Sequence, residues 1–256
     1  MNIKEKAFAF INAVNTRNVN TIKELVREDY IQHNPHVPTG REAFLSLLPA
    51  LEKHDTKVKT IRIIEDGNFI VMHNHWTNAT PFGAEDMVAF DILRFDDQGK
   101  IAEHWDALIE NVKKTVSGRT LIDGPTEIKD IELTKANKDL VSKFVSNVLI
   151  GGNREVITDY ISPEKYDQHN PHVGDGLQGL FEAIQSGKIK FDIHKAHAIF
   201  AEGSFVLTVN EGELNDEPTC FYDLFHIEER KITEHWDITP TIPSEGLANE
   251  NGLFNF

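Results

Sequence analysis

The sequence predicts an α+β fold that occurs twice in one chain, and two observations lead to that prediction. The tetrapeptide Glu-His-Trp-Asp at residues 103–106 returns at 234–237. In each half, apolar residues first recur at helical spacing and later alternate with polar residues as in β-strands. Tyr166 and Gly203 follow Tyr30 and Gly67 by the same 136 residues, so the register of the repeat holds over much of a domain.

The first half predicts three helices followed by an antiparallel sheet. Helical spacing of apolar residues indicates helices over residues 3–14, 21–28 and 41–51. Pro35 and Pro38 prevent the second helix from continuing, because proline has no backbone N–H to donate. Alternating residues then predict strands at 58–64, 69–76, 85–95 and 100–106, and the Asp-Gly-Asn turn at 66–68 favours a hairpin.

The second half repeats this order with helices over 138–149 and 155–160. Between the copies lies a polar stretch that contains Gly118, Gly124 and Pro125, which is typical of a linker or an exchanged arm. We therefore expect a first domain over 1–115, a linker or arm over 116–134 and a second domain over 135–256.

Composition excludes several classes of function. The 256 residues are 40% hydrophobic and 26% charged, as in ordinary globular proteins. A formal net charge of -15 argues against binding to nucleic acids or anionic membranes, both of which need a basic surface. The single Cys220 excludes an intrachain disulfide and a zinc–thiolate cluster. Without a long apolar stretch near Met1, the sequence predicts a cytoplasmic protein.

The repeated tetrapeptide ends a predicted hairpin in each half. On a strand of period two, His104 and Asp106 share one face and Trp105 takes the other. If Phe95 pairs with Lys100, Asp91 lies opposite His104. In the second half, pairing Ile227 with Lys231 across the loop 228–230 places Asp223 opposite His235, with Asp237 two residues along. The hairpins therefore predict two equivalent Asp/His clusters.

The motif Gln-His-Asn-Pro-His at 32–36 and 168–172, together with Glu-His-Trp-Asp on the last strand, gives the chain a family resemblance. Each half resembles the SnoaL-like polyketide cyclase family within the nuclear transport factor 2-like superfamily. The resemblance implies a cone-shaped α+β barrel, in which a curved sheet wraps around the helices and a ligand pocket opens at the mouth. It also implies frequent dimerisation through the outer face of the sheet and cofactor-free aldol chemistry, in which a carboxylate moves the proton and a histidine assists. Many members of the superfamily are binding modules without a known activity.

The Asp/His clusters are the first candidate catalytic groups. An Asp/His pair that is shielded from water suits a general base near neutral pH, while the same pair also occurs as a buried ion pair that stabilises a hairpin. Either Asp106 or Asp91 is the carboxylate that the resemblance implies. The candidates are His104, Asp106 and Asp91 in the first half and His235, Asp237 and Asp223 in the second.

Further histidines are candidates on neighbouring segments. Pro35 and Pro171 hold extended segments, so we expect His33 and His169 to point into the pockets as catalytic groups. The alternative is that His33 bonds the loop backbone. His36 and His172 follow on the same segments as substrate-binding candidates, although a structural role is favoured for His36.

His73 and His75 alternate on one strand face as further substrate-binding candidates. With His33 and His104 they could form a histidine metal site, but no metal and no other cofactor is predicted, because such pairs more often form a polar stripe. The second half has Val209 and Glu211 at these positions, so the two pockets differ.

The outer face of each predicted sheet carries Trp105 or Trp236 among other large apolar residues. Such a face must be covered, so the two domains are expected to pack as a pseudo-dimer, with further homo-oligomers as an option. The alternative places each Trp under the helices and leaves the Asp/His face in solvent.

The function expected from the sequence is acid/base chemistry on a small apolar carbonyl compound, namely aldol-type cyclisation, isomerisation or hydration. His104 or Asp106 takes the proton, and His33 bonds the enolate oxygen. The competing expectation is a binding module for a small molecule, without turnover.

Overall fold

The computed structural model describes all residues, Met1–Phe256, and divides into two compact units. Unit 1 comprises Met1–Asn111 and Pro243–Asn255, and unit 2 comprises Val112–Ile242 and Phe256. The segment that follows the last strand of each sheet is therefore counted with the other unit. No helix has both the length and the apolar character needed to cross a lipid bilayer.

Unit 1 begins with four short helices, α1 Ile3–Thr16, α2 Val19–Leu25, α3 Arg41–Leu45 and α4 Leu48–Lys53. A capping box starts α1, since the Asn2 side chain accepts from the Glu5 N–H and the Glu5 carboxylate accepts from the Asn2 N–H. The predicted third helix over 41–51 is split into α3 and α4. Pro49 explains the break, because in one continuous helix its missing N–H would leave the carbonyl of Leu45 without a donor.

The sheet of unit 1 has five strands in the order β1-β5-β4-β3-β2. Their bounds are β1 Val26–Gln32, β2 Lys57–Asp66, β3 Phe69–Thr77, β4 Asp86–Phe95 and β5 Ile101–Glu110, with a 3₁₀ turn at Thr80–Phe82. Four strands are antiparallel, as predicted, but β1 pairs parallel to β5. The prediction missed β1 because its sequence has helical spacing and its pairing partner lies about 75 residues away.

The helices of unit 1 cover one face of this sheet. Phe10, Ile11 and Val14 of α1 belong to one buried cluster with Met72 of β3 and Leu93 of β4. Strand residues with even numbers on β3 and odd numbers on β4 therefore face the helices, since neighbouring residues on a strand point to opposite sides. This face is where the candidate site lies.

Unit 2 repeats the plan with the strand order β6-β10-β9-β8-β7, in which β6 is parallel to β10. Its helices are α5 Thr134–Phe144, α6 Ile157–Tyr160 and α7 Gly176–Gln185, and α5 continues as a π-helical stretch over Val145–Ile150. Short 3₁₀ turns lie at Ile131–Leu133 and Arg154–Val156. Its strands are β6 Asp167–Gln168, β7 Phe191–Glu202, β8 Phe205–Leu214, β9 Glu217–Glu228 and β10 Lys231–Ile238.

The predicted α+β class with two tandem copies is confirmed, with one correction to the sheets. Each sheet is mixed and not purely antiparallel, because its edge strand is parallel to the last strand of the copy. The hairpin loop of unit 2 is also shorter than predicted. Glu228 pairs with Lys231, so only Glu229 and Arg230 form the turn, both with positive φ as a type I′ turn requires.

Candidate active site

The β4–β5 hairpin brings Asp91, His104 and Asp106 together, although its register differs from the prediction. Asp91 pairs with Asp106 and Leu93 pairs with His104, so the expectation that Asp91 lies opposite His104 is wrong by two residues. Phe95 pairs with Ile101 and an irregularity follows at Arg94, and together these move the register. A shift of two residues keeps every side chain on its face, so the cluster still forms.

The three side chains contact one another on the helix-covered face. His104 Nε2 lies 2.9 Å from Asp91 Oδ1 and 3.9 Å from Asp106 Oδ2. Asn74 donates to Asp91 Oδ2 at 2.7 Å, and Asn34 donates to Asp106 Oδ1 at 2.6 Å. Asp106 Oδ2 accepts no hydrogen bond. It is therefore the one carboxylate oxygen of the cluster that is free to take a proton from a ligand.

Gln32 decides which nitrogen of His104 carries the proton in the neutral ring. Gln32 Oε1 accepts from the Asn34 N–H at 2.9 Å, which orients the amide, and Gln32 Nε2 lies 3.1 Å from His104 Nδ1. An amide NH₂ can only donate, so Nδ1 is the acceptor and Nε2–H donates to Asp91. Both ring nitrogens are thus engaged, and His104 has none left to accept a proton from a ligand.

Burial makes Asp106 a stronger base than an ordinary carboxylate. Removal from water raises its pKa to about 6; the nearby His104 opposes this rise, while the charge of Asp91 adds to it. Burial also lowers the pKa of His104, but the hydrogen bond to Asp91 and the charges of Asp106 and Asp91 outweigh it, so that this pKa is raised overall. A carboxylate with a pKa near 6 can take a proton at neutral pH and return it.

The cluster lines a cavity of about 350 Å³ in unit 1. Its polar end is formed by Gln32, Asn34, Asp91, His104 and Asp106, and exposed His36 lies at the edge. The remaining wall is mainly apolar and carries no Lys or Arg. Its larger side chains are Phe10, Ile11, Val14, Phe44, Leu47, Leu51, Met72, Trp76, Phe82, Leu93 and Leu108. The expectation that the Asp/His face is merely solvated is therefore wrong.

His33 does not point into the cavity, contrary to the prediction. Gln32 and Asn34 face the cavity, so His33 between them takes the opposite side. There its ring stacks on Trp105 with centroids 4.1 Å apart, and Nε2 lies 2.9 Å from Glu103 Oε2. The prolines do keep the segment extended, but period-two alternation decides the direction. His36 therefore lies at the cavity, where His33 was expected, and His33 packs on the other face of the sheet.

His73 and His75 are also placed on the side away from the cavity, so their predicted contact with substrate is wrong. His73 is buried, stacks on Phe90 and lies 3.0 Å from an Arg62 guanidinium nitrogen. His75 Nε2 lies 2.7 Å from Asp86 Oδ1. Met72 and Trp76 occupy the cavity side of β3 instead. A metal site of His33, His73, His75 and His104 does not assemble, because His104 lies on the other face.

The comparison with protein families matches residues 7–104 to the SnoaL-like domain. The match ends at His104, which is the histidine of the cluster described above. No curated protein matches the chain.

Three similar solved structures each cover less than half of this chain. IdmH of Streptomyces antibioticus, a candidate polyketide cyclase, is 18% identical over 42% of this chain and 92% of its own, with a TM-score of 0.36. TsrD of Streptomyces laurentii is 19% identical over 41% and 87%, with a TM-score of 0.37. A candidate ketosteroid isomerase of Kribbella flavida is 20% identical over 49% and 83%, with a TM-score of 0.38.

Unit 2 contains a cluster of the same residue types as unit 1. Asp223 pairs with Asp237, and not with His235 as predicted, and His235 Nε2 lies 3.1 Å from Asp223 Oδ1. Asn170 donates to Asp237 Oδ2 at 2.6 Å. His169 turns away from the cluster, as His33 does, and stacks on Trp236 at 4.5 Å. Its predicted place in a pocket is therefore wrong as well.

The cluster of unit 2 differs from that of unit 1 in its protonation. Gln168 Oε1, which accepts from the Asn170 N–H, also lies 3.0 Å from His235 Nδ1. Both ring nitrogens of His235 thus face acceptor oxygens, which is the pattern of an imidazolium. Although burial lowers the pKa of His235, the hydrogen bond to Asp223 and the charges of Asp237 and Asp223 raise it overall. His235 is therefore ion-paired.

Asp237 has no free oxygen that a ligand can reach. Its Oδ1 is buried and has no hydrogen-bond partner, and burial raises the pKa of Asp237. At the register positions of Ala89 and Leu93, unit 2 carries Phe221 and Phe225, and Phe225 stacks on His235 at 5.0 Å. His172 is exposed. The two clusters therefore share their residues but differ in access.

Asp237→Asn should stabilise the protein at pH 8. The pKa of Asp237 is higher in the folded than in the unfolded state. Its contribution to stability is therefore fully present below the unfolded-state pKa and is lost as the pH rises through the folded-state pKa. Replacing the carboxylate removes the cost of a buried charge whose Oδ1 has no hydrogen-bond donor, so we expect the free energy of unfolding in urea to rise by roughly 1–2 kcal/mol. A lower free energy of unfolding than in the wild type at pH 8 would contradict this.

The sequence reasoning missed Gln32, Asn34 and Asn74 as members of the site. Gln32 and Asn34 could have been predicted as members, because they belong to the repeated motif 32–36 and alternate with His33. Their equivalents Gln168 and Asn170 contact His235 and Asp237 in unit 2, although Gln168 does so through Oε1 and not through Nε2. The repeat also marks Asn74, because Asn210 follows it by the same 136 residues and donates to Asp223 Oδ2 at 3.0 Å, as Asn74 donates to Asp91 Oδ2.

Proposed function

We propose that unit 1 catalyses cofactor-independent proton transfer next to the carbonyl group of a small, uncharged, apolar compound, with Asp106 as the base. The observation that carries this proposal is Asp106 Oδ2, a carboxylate oxygen without a hydrogen-bond donor on a group with a pKa of about 6, at the polar end of an apolar cavity. Asp91 is not the base, because its two oxygens accept from His104 and Asn74.

The reaction begins when Asp106 Oδ2 takes a proton from the carbon beside the carbonyl. The C–H bond breaks, an O–H bond forms on Asp106, and the electron pair moves to the carbonyl oxygen as an enolate. Return of the proton from Asp106 to another carbon is an isomerisation. In an aldol cyclisation the enolate carbon forms a C–C bond to a second carbonyl carbon, the π bond of that carbonyl breaks, and its oxygen takes the proton back from Asp106. Either outcome begins with the same proton transfer, and hydration is the third reaction expected for such a site.

His36 is the group that we assign to the enolate oxygen in place of His33. It lines the cavity edge, its ring makes no hydrogen bond within the chain, and an imidazole N–H can donate to an oxyanion. His104 donates its Nε2–H to Asp91 and so stabilises the charge of that carboxylate. The lack of Lys and Arg in the wall, beside two carboxylates, disfavours anionic substrates.

Unit 2 is proposed to be architectural. The ion-paired His235, the buried oxygen of Asp237 and the two phenylalanines near them support this assignment. The chain then has one working site and one similar cluster whose unbonded carboxylate oxygen is buried.

The test is exchange of carbon-bound hydrogen for deuterium in a panel of uncharged cyclic ketones, followed by NMR in D₂O. We expect the wild type and the Asp237→Asn variant to accelerate exchange equally. Ketones that bind in the cavity without any accelerated exchange or product would reject the catalytic proposal, and unit 1 would then be a binding module for small molecules.

Asn34→Ala should move the pH dependence of exchange upward. Asn34 donates to Asp106 and thereby favours the charged carboxylate, so its loss raises the pKa of Asp106 above about 6. A hydrogen bond to a charged group is worth roughly 1.5–3 kcal/mol, which corresponds to a shift of about 1–2 pH units. The pH–rate profile measures this midpoint, and Asn170→Ala in unit 2 is the matched control that should leave it unchanged.

A further inference from the structure

The segment Pro243–Asn255, which we name the C-terminal arm, belongs to unit 1 and is bonded to the backbone of the cavity wall. Asn251 Nδ2 donates to the carbonyl of Gln32 at 2.8 Å. Asn249 Nδ2 donates to the carbonyls of Asn34 at 2.7 Å and Val37 at 2.8 Å. Two asparagine side chains thus serve three carbonyls of one short segment.

Main-chain groups of the arm complete this contact. The Ala248 N–H donates to the carbonyl of Pro35 at 2.7 Å, and the carbonyl of Gly252 lies 2.7 Å from His33 Nδ1. Every residue from Gln32 to Pro35 is therefore held by the arm through its carbonyl or, for His33, its ring. The opposite side of the same segment presents Gln32 and Asn34 to His104 and Asp106.

These contacts provide hydrogen-bond donors for carbonyl groups that would otherwise be unpaired at the edge of the sheet. The inner side of the segment pairs with β5, where the His33 N–H donates to the carbonyl of His104 at 2.8 Å. Carbonyls of neighbouring residues point to the outer side, which no strand covers. Without the arm, those carbonyls would have only water as a partner, and the segment would lose the bonds that fix its distance from the cluster.

Unit 2 has an equivalent arm at residues 116–120, which makes corresponding contacts with the second copy of the motif. The Val116 N–H donates to the carbonyl of Pro171 at 3.2 Å, and Ser117 Oγ donates to the carbonyl of Gln168 at 2.6 Å. The carbonyl of Thr120 lies 2.5 Å from His169 Nδ1. Two segments with different sequences thus bond the same motif at the same groups.

We propose that Asn249 and Asn251 are positioning residues, which set the electrostatics of the acid/base site by holding the backbone of Gln32 and Asn34. The inference rests on the proposed function for what the site does, but the positioning itself is measurable without turnover. Asn249 acts through Asn34 on Asp106, and Asn251 acts through Gln32 on His104. Loss of either asparagine weakens the hydrogen bond on the far side of the segment.

The experiment is a ¹³C NMR titration of the Asp106 carboxyl carbon in the full chain, assigned with Asp106→Asn. In Asn249→Ala we expect its midpoint to rise by roughly half a pH unit, a fraction of the about 1–2 units expected for complete loss of the Asn34 bond. Glu250→Ala is the matched control within the arm, since Glu250 is exposed and makes no side-chain bond. Ser117→Ala is the matched control in unit 2, and both controls should leave the Asp106 midpoint unchanged.

Asn251→Ala provides the second test and serves if Asn249→Ala does not fold. Its expected result is a rise of the His104 midpoint, because Gln32 donates to Nδ1 and thereby favours the neutral ring. Lower thermal stability with both midpoints unchanged would overturn the proposal, because an arm that only stabilises the fold predicts that outcome. Shifted midpoints in a protein that exchanges no ketone hydrogen would support the positioning and reject the proposed function.

Discussion

Asp106→Asn should abolish hydrogen exchange of the ketones and at the same time stabilise the protein. An amide cannot take the proton, and general acid–base catalysis contributes typically about 10²–10⁴-fold to a rate. We therefore expect at least about a 100-fold loss in the NMR exchange assay. Ligand binding should be retained, because the shape of the cavity is kept. The amide oxygen at residue 106 can still accept the hydrogen bond from Asn34.

The stability effect of this substitution follows from the sign of the pKa shift. The folded-state pKa of Asp106 is raised from 3.8 to about 6, so its contribution to stability is fully present below pH 3.8 and is lost as the pH rises through 6. At pH 8 the buried charge then costs on the order of 2–3 kcal/mol. Urea unfolding of Asp106→Asn should show this gain at pH 8 and almost none at about pH 4.

Asp237→Asn is the control for both measurements, since it removes the equivalent carboxylate in unit 2. It should share the gain in stability but keep the exchange activity. Exchange by Asp106→Asn at the wild-type rate would show that another group moves the proton, whereas a loss of stability at pH 8 would show that the charge of Asp106 is well solvated.

Ala89→Phe should close the cavity of unit 1. Ala89 lines the cavity two residues before Asp91, and Phe221 stands at the same register position before Asp223 in unit 2. The added ring would occupy the space above the cluster without touching its charges. A single methylene in an apolar pocket changes discrimination by about 10–200-fold, so we expect a whole ring to weaken ketone binding by at least about 100-fold.

Ketone binding can be followed by the fluorescence of Trp76, which lies in the cavity wall. The titration midpoint of Asp106 should rise in Ala89→Phe, because further burial disfavours the charged carboxylate. The reciprocal variant, Phe221→Ala, should cost roughly 3–5 kcal/mol of stability while unit 1 retains exchange. Unchanged ketone affinity in Ala89→Phe would mean that ligands bind elsewhere.

Much of the sidedness of the site could be predicted from the sequence. The alternation of His104, Trp105 and Asp106 fixes opposite faces for the polar pair and the indole, and the structure confirms both. The same rule, applied to Gln32, His33 and Asn34, would have placed His33 correctly. The prediction for His33 is wrong because the prolines only keep the segment extended, whereas the alternation along a strand decides on which side each side chain lies.

Two α+β copies, each with an Asp/His pair and a tryptophan on opposite faces of its last strand, are predictable without coordinates. These features are local, because the repeat and the period-two alternation depend only on neighbouring residues. The free oxygen of Asp106, the contacts of Gln32 and Asn34 with the cluster, and the bonds from the C-terminal arm all depend on how distant parts of the chain pack together. Those contacts join residues from about 70 to more than 200 positions apart, and their geometry depends on the parallel β1–β5 pairing and on packing, which local patterns do not encode.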